Sequence, residues 1–236
     1  MCNLYNITTT TEALRQFTKA LRDRGGWNQP TLDIFPNVRA PVVRVAKDGQ
    51  REITMLQWGM PTPPERVKGN YDPGTTNIRQ PSYFHWRQWM GVENRCIVPA
   101  TSFAEPSPRK DTNGKTPNVW FALGDDEPLF AFPGIWTRWQ GVRRVRDGPG
   151  DFELFGIFTT RPNAVVAPIH DKAMPVILRS EKEIDTWLSA PADEALKLQR
   201  PLPDETLKIV AITEKERNSP AVWFETGAQP PQLSSL

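Results

Sequence analysis

Twenty-four of the 236 residues are proline, and that density limits the chain more than any other feature. Proline has no amide donor, so it interrupts helix interiors and central sheet ladders alike. Spread along the whole length, it predicts short elements joined by stiff loops, and few long helices. A chain this long is one large domain or two small ones and can bury a substantial core. Segments of strand and helix character do not alternate as βαβ units. The expected architecture is therefore α+β: a single domain with mostly antiparallel β-sheets in a barrel-like core and flanking short helices.

Local signals place the elements. A helix is predicted from about Thr9, where Thr9 and Glu12 have capping-box spacing; Leu14, Phe17 and Leu21 form its apolar stripe, and Gly25-Gly26 stops it. Residues 42–46 and 51–58 read as a hairpin around Asp48-Gly49. A loop rich in proline and glycine follows over 60–76, then a short aromatic helix over 82–90. Strands are expected at 95–104, 118–124, 128–136 and 152–160, the 118–136 pair being joined by the turn sequence Gly124-Asp125-Asp126-Glu127-Pro128. The polar, basic stretch 143–151 reads as an exposed loop. Ser180 and Glu183 make a second capping box that opens a helix to about Ser189; a short helix near 193–199 and a strand over 207–212 follow. The tail from Gly227 is Pro, Gln and Ser and is expected to be disordered, which bounds the domain at 1–226 and the tail at 227–236.

A formal net charge of +2 is too small to argue for a nucleic-acid partner, so any such surface must be a local basic patch. The two cysteines, Cys2 and Cys96, and the two histidines, His85 and His170, stand in no metal-ligand spacing, and neither a metal nor a cofactor is expected. No apolar run is long enough to span a membrane, and no signal-peptide h-region follows Met1. The expected compartment is a reducing cytoplasm, where Cys2 stays a thiol, and the expected state is a monomer.

Cys2 becomes the N-terminus if Met1 is trimmed, which is usual before a small side chain. Its α-amine, with a pKa of about 7.7–8.0, and its thiol, at about 8.5, would then sit on adjacent carbons. An amine condenses with an aldehyde to a Schiff base, and a neighbouring thiol can close on the imine carbon to give a thiazolidine. The alternative is an inert thiol on a frayed end. Three more segments carry chemistry-bearing residues. Asn77, in Thr75-Thr76-Asn77-Ile78-Arg79, is either a functional amide or a turn former. Glu105 ends the apolar Ser102-Phe103-Ala104, as a site carboxylate or a solvated strand edge. His170 sits in Pro168-Ile169-His170-Asp171-Lys172-Ala173-Met174-Pro175, as a proton-transfer group or a structural ring.

Taken in order, these segments resemble the SRAP (SOS response-associated peptidase) family. The family's Met-Cys opening is similar to Met1-Cys2, its Asn-x-Arg to Asn77-Ile78-Arg79, its Phe-x-Glu to Phe103-Ala104-Glu105, and its His-Asp-(Arg/Lys)-Met-Pro to His170-Asp171-Lys172 with Met174-Pro175 one residue late. Trp58-Gly59, and Asn37-Val38 with Pro41, match as well, so the resemblance runs from residue 1 to about 212. There are departures: Asn3-Leu4 stands for the common Gly-Arg, Gln80-Pro81 follows Arg79 without a glutamate, Pro106 replaces a frequent tryptophan, and Ala173 is inserted. None touches Cys2, Asn77, Glu105 or His170.

The resemblance implies a DNA-repair protein that senses abasic sites in single-stranded DNA and shields them in a covalent thiazolidine crosslink through Cys2, with autoproteolytic, cysteine-type peptidase activity in addition. It implies catalytic roles for Cys2, Asn77, Glu105 and His170, and DNA contacts by Arg79, Lys172, Trp58 and Asn37. Arg79 and Lys172 suit phosphates and Trp58 a stacking or wedge role. Two other readings stay open: an N-terminal-nucleophile cysteine amidohydrolase, and a non-covalent single-stranded DNA-binding module.

Overall fold

The computed structural model describes residues 2–28 and 30–216; the tail expected from Gly227 lies outside them. In chain order the elements are β1 (Tyr5–Ile7), α1 (Thr11–Thr18), β2 (Arg22–Asp23), β3 (Thr31–Ile34), β4 (Arg39–Val45), β5 (Arg51–Trp58), β6 (Asn77–Ile78) and α2 (Phe84–Arg87). Then follow β7 (Arg95–Ala100), β8 (Ser102–Pro106), β9 (Asn118–Ala122), β10 (Phe130–Val142), β11 (Pro149–Thr160), β12 (Met174–Pro175), α3 (Glu181–Ser189), α4 (Ala192–Ala195) and β13 (Lys208–Thr213). The longest helix among the described residues, α3, has nine residues. Short helices between proline-bearing loops are what the composition predicts.

The fold is α+β, a single domain around a closed five-stranded barrel. Strands β5, β4, β7, β10 and β11 pair in that order, all antiparallel, and β11 returns to β5 through a parallel pairing of Leu154 with Gln57 and Phe155 with Trp58. Closure leaves no open edge on this circuit. A second sheet, in the order β13-β9-β8-β1-β3, is antiparallel throughout. Aromatic rings join the two: Tyr5 of β1 packs edge-on against Trp58 of β5 and Phe132 of β10, with centroids 5.2 and 5.6 Å apart. Helix α3 begins with the expected capping box, Ser180 to Glu183. It docks through Trp187, whose indole N–H reaches the carbonyls of Cys96 and Gly134. The buried Arg95 guanidinium donates to the carbonyls of Trp187 and Ala190, holding the helix's C-terminal end to β7.

Several sequence expectations are corrected. The first helix is capped by Thr10, not Thr9, and ends at Thr18, because Lys19 takes the left-handed conformation there (φ 54°). Leu21 is consequently off the helix and 69% exposed. The run 95–104 is two strands, β7 in the barrel and β8 in the second sheet. The turn at 124–128 does not close a hairpin: β9 pairs with β8 and β13, while β10 pairs with β7 and β11, so this connection crosses between sheets. Residues 144–147 of the stretch 143–151 are exposed, as expected, at the tip of a long β10–β11 hairpin whose pairing reaches Val142 with Pro149, but residues from Pro149 on belong to β11, and Arg143 is buried.

Candidate active site

Strand β1 lies between β3 and β8, so the residues just before it emerge beside the end of β8. Tyr5 pairs with Phe103 and Asn6 with Ser102, and Ala104 N–H donates to the Leu4 carbonyl at 2.9 Å. Carrying that antiparallel register two residues on sets Glu105 alongside Asn3. Cys2 and Glu105 are both fully buried. The Cys2 thiol points back along its own strand, its Sγ 3.7 Å from the Leu4 carbonyl oxygen.

Burial governs the titration of both groups. Removal from water disfavours the thiolate and pushes the Cys2 thiol far above its ordinary value, and the Glu105 charge acts in the same direction. Burial raises the Glu105 carboxyl to about 7, against the opposing pull of the positive amino terminus. A carboxyl poised there can give or take a proton near neutral pH.

Asn77 reaches this place from the barrel. Two-residue β6 runs parallel to β11, Asn77 opposite Ile157. Its Nδ2 donates to the Cys2 carbonyl at 2.9 Å, to Thr76 Oγ1 at 2.8 Å and to Asn3 Oδ1 at 3.3 Å. Thr76 Oγ1 in turn donates to Asn3 Oδ1 at 3.1 Å. Asn77 Oδ1 is buried without a hydrogen-bond partner among the described residues. An unpaired buried carbonyl costs about 1–3 kcal/mol, which makes it a ready acceptor for a substrate donor.

Cys2, Asn77 and Glu105 are thus brought together. His170 is held by its own loop: Nδ1 lies 2.8 Å from the Ala173 carbonyl and 3.1 Å from the Ala173 amide nitrogen. The residue inserted into the motif is therefore the one that clasps the ring. Four residues on, Met174 of β12 pairs with Thr160 at the end of β11. Ile157 N–H bonds to the Thr76 carbonyl and the Phe158 carbonyl to Val176 N–H, so Asn77 and the His170 loop flank opposite edges of β11.

Of the residues expected at DNA, Arg79 and Lys172 are exposed. Trp58 is not: it is fully buried, packed against Tyr5 and stacked on Phe155, with its indole N–H on the Thr76 carbonyl at 3.1 Å. A base has no face of Trp58 to stack on, and its work is to position Thr76 and hence Asn77. Asn37 is half-buried, and its Oδ1 accepts from Arg143 at 2.9 Å.

Sequence reasoning missed Asn3 and Thr76 as site residues, although both adjoin motif residues; Asn3 stood out only as a departure. It also missed Arg143. That guanidinium donates to the Gly59 carbonyl at 3.0 Å, faces Asp72 at 3.7 Å, and fills the space beside Gly59 and Gly74. A Cβ on Gly74 would lie 2.2 Å from Arg143 Nη2, and Gly74 has φ +85°. The loop 61–74 is pinned at its stem, where Met60 pairs with Thr75, and Arg143 fastens it from beneath.

Among the described residues no three His, Cys, Asp or Glu side chains converge to hold a metal ion, and no helix is long and apolar enough to cross a membrane. The family model described as SOS response associated peptidase (SRAP) matches residues 1–219. Among curated proteins none matches this chain. Solved structures do. A Bordetella bronchiseptica protein is 23% identical with a TM-score of 0.66, over 87% of this chain and 97% of its own. A Bacteroides thetaiotaomicron protein is 21% identical, also at 0.66, over 92% and 93%. A phage-related protein from Bordetella bronchiseptica is 17% identical at 0.63, over 87% and 92%. These likenesses show the shared fold.

Proposed function

Because this chain belongs to the SOS response-associated peptidase (SRAP) family across residues 1–219, we propose that it senses abasic sites in single-stranded DNA and seals them in a covalent crosslink through Cys2. One observation carries this reading: the Cys2 peptide oxygen is fixed by Asn77 while its thiol lies in the field of Glu105. A residue that served only to fill the core would need neither.

Met1 leaves first, by an aminopeptidase or by attack of Cys2 on its own peptide bond. The ring-opened abasic sugar presents an aldehyde. With its thiol held protonated by burial, the first nucleophile is the Cys2 α-amine, which adds to the aldehyde carbon. Asn77 Oδ1 accepts a hydrogen bond from the amine or the new hydroxyl, and Glu105 in its acid form protonates that hydroxyl as it leaves as water. The thiol then adds to the iminium carbon, its proton passing to Glu105, and the thiazolidine closes. Amine, thiol and aldehyde become one ring and one water. Closure removes the electrophilic imine that would otherwise hydrolyse or eliminate the 3′ phosphate. His170 supplies acid–base help to ring opening, and Arg79 and Lys172 contact phosphates.

The test is a denaturing gel of the protein, with Met1 removal confirmed by intact mass, mixed with single-stranded DNA carrying one abasic site. A heat-stable shifted band is expected for the parent and none for Cys2→Ala. A processed, folded parent that gives no band overturns the reading, and hydrolysis of small amides becomes the next assay.

A further inference from the structure

Beside the loop 61–74 lies a cavity of about 630 Å³, walled by Tyr71, His85, Trp89, Trp139, Pro61 and Val67 among others. That volume is in the range of small-molecule sites, and the walls are those of sites that take flat aromatic groups. A second depression adjoins it, lined by Tyr71, Arg144, Val145 and Arg146 at the tip of the β10–β11 hairpin. Tyr71 belongs to both, and it is 41% exposed. Aromatic walls on one side of a tyrosine and two arginines on the other match a planar base joined to a phosphate.

The local charges favour an anion. Asp72 also lines the cavity, but its carboxylate is occupied by the amides of Thr62 and Gly74, at 2.8 and 2.7 Å, and faces Arg143. Glu65 is engaged by the Tyr83 hydroxyl. Arg146 shares its charge with Asp147 at 3.3 Å, whereas Arg144 makes no ion pair among the described residues. Arg66 and Lys68 are exposed on the same loop.

We propose that these two depressions form a nucleotide-binding subsite, the base entering the aromatic cavity and the phosphate meeting Arg144 and Arg146. The ligand is either a nucleotide unit of an undamaged single strand or a free nucleotide. The subsite does not depend on the chemistry of Cys2.

It is tested in the Cys2→Ala protein, which cannot crosslink, by tryptophan fluorescence and anisotropy titrations with a short undamaged oligodeoxythymidylate and with thymidine monophosphate. The expected result is quenching by the oligonucleotide, with affinity lost roughly ten-fold in Tyr71→Ala, as for one stacked base, and a shallower salt dependence in Arg144→Ala. Binding of the monophosphate with the same variant pattern, without tighter binding of the strand, assigns the site to free nucleotides. If both ligands bind Tyr71→Ala and Arg144→Ala as they bind the parent, or neither binds at all, the subsite is wrong. Crosslinking by Cys2-intact protein is scored separately, so loss of one reading leaves the other standing.

Discussion

Glu105 offers the sharpest test of the site's electrostatics. Its carboxyl is fully buried and burial raises it to about 7 from an ordinary 4.5. A group raised on folding binds its proton more tightly in the native state. Its contribution is therefore fully present below about pH 4.5 and is lost as pH rises through 7. At about 1.4 kcal/mol per pH unit, the loss across that window is about 3 kcal/mol. Glu105→Gln keeps the shape and removes the titration. Urea unfolding followed by tryptophan fluorescence at pH 4.5 and pH 8 should show the parent losing about 3 kcal/mol relative to the variant. Asp48, Glu65 and Glu153 are held below their ordinary values by Arg22, by Tyr83 and by Arg44 with Arg138. Their stabilising effect is lost as pH falls below the ordinary carboxylate range, in both proteins alike, so the difference between the two isolates Glu105. Parallel curves for parent and variant would refute the argument, since they would mean the buried carboxyl titrates as it does in the unfolded chain.

Other outcomes follow from single contacts. Arg143→Leu leaves Asp72 buried without its cation and should cost about 3 kcal/mol in urea unfolding, the usual penalty for breaking a buried pair. Gly74→Ala should cost more in the parent than in Arg143→Leu, because only in the parent does the new Cβ meet the guanidinium; equal costs in a double-mutant cycle would exclude that contact. Ser180→Ala removes the α3 capping box and should lower stability by about 1 kcal/mol, read as a fall of about 2–4 °C in Tm. Arg79→Ala, made in Cys2→Ala protein, should flatten the salt dependence of oligonucleotide binding by about 0.7 in log–log slope; an unchanged slope removes Arg79 from the phosphate contacts.

The sequence was most legible where the signal is local. The 42–58 hairpin, the Ser180–Glu183 cap and the late strand rest on turn residues and period-two alternation, and they stand close to where those signals put them. The errors arise from long-range pairing. Nothing in 95–104 marks the point at Thr101 where the chain leaves the barrel for the second sheet, because both halves are equally apolar and buried. A turn sequence says that the chain reverses, not that its two arms pair, and the segment after Ala122 shows the difference. Arg143 reads as one of a run of solvated basic residues; it is buried only because Gly59 and Gly74, far away in sequence, leave it room. Trp58 failed for a related reason: a tryptophan on an apolar strand is the same signal for a stacking platform and for a core, and here the barrel's closure onto β11 decides for the core.

The candidate site joins two frameworks. Cys2 and Glu105 belong to the second sheet through β1 and β8; Asn77 and the His170 loop belong to the barrel through β11. Hydrogen bonds across this seam run from Asn77 Nδ2 and Thr76 Oγ1 to the Cys2 carbonyl and the Asn3 side chain. They grip the peptide that follows Cys2 and occupy neither its thiol nor the amine that Met1 removal would expose. That division has a chemical consequence. In the crosslinking proposed above, holding residue 2 by its carbonyl would fix where its Cα sits, so that only the thiol's contact with the Leu4 carbonyl has to be given up for amine and sulfur to reach a common carbon, as a five-membered ring closure requires. In that proposed reaction, a bond to the sulfur or nitrogen strong enough to fix the strand would have to break at each step. Asn3, next to Cys2, adds to that grip through its Oδ1, which accepts from both Thr76 Oγ1 and Asn77 Nδ2.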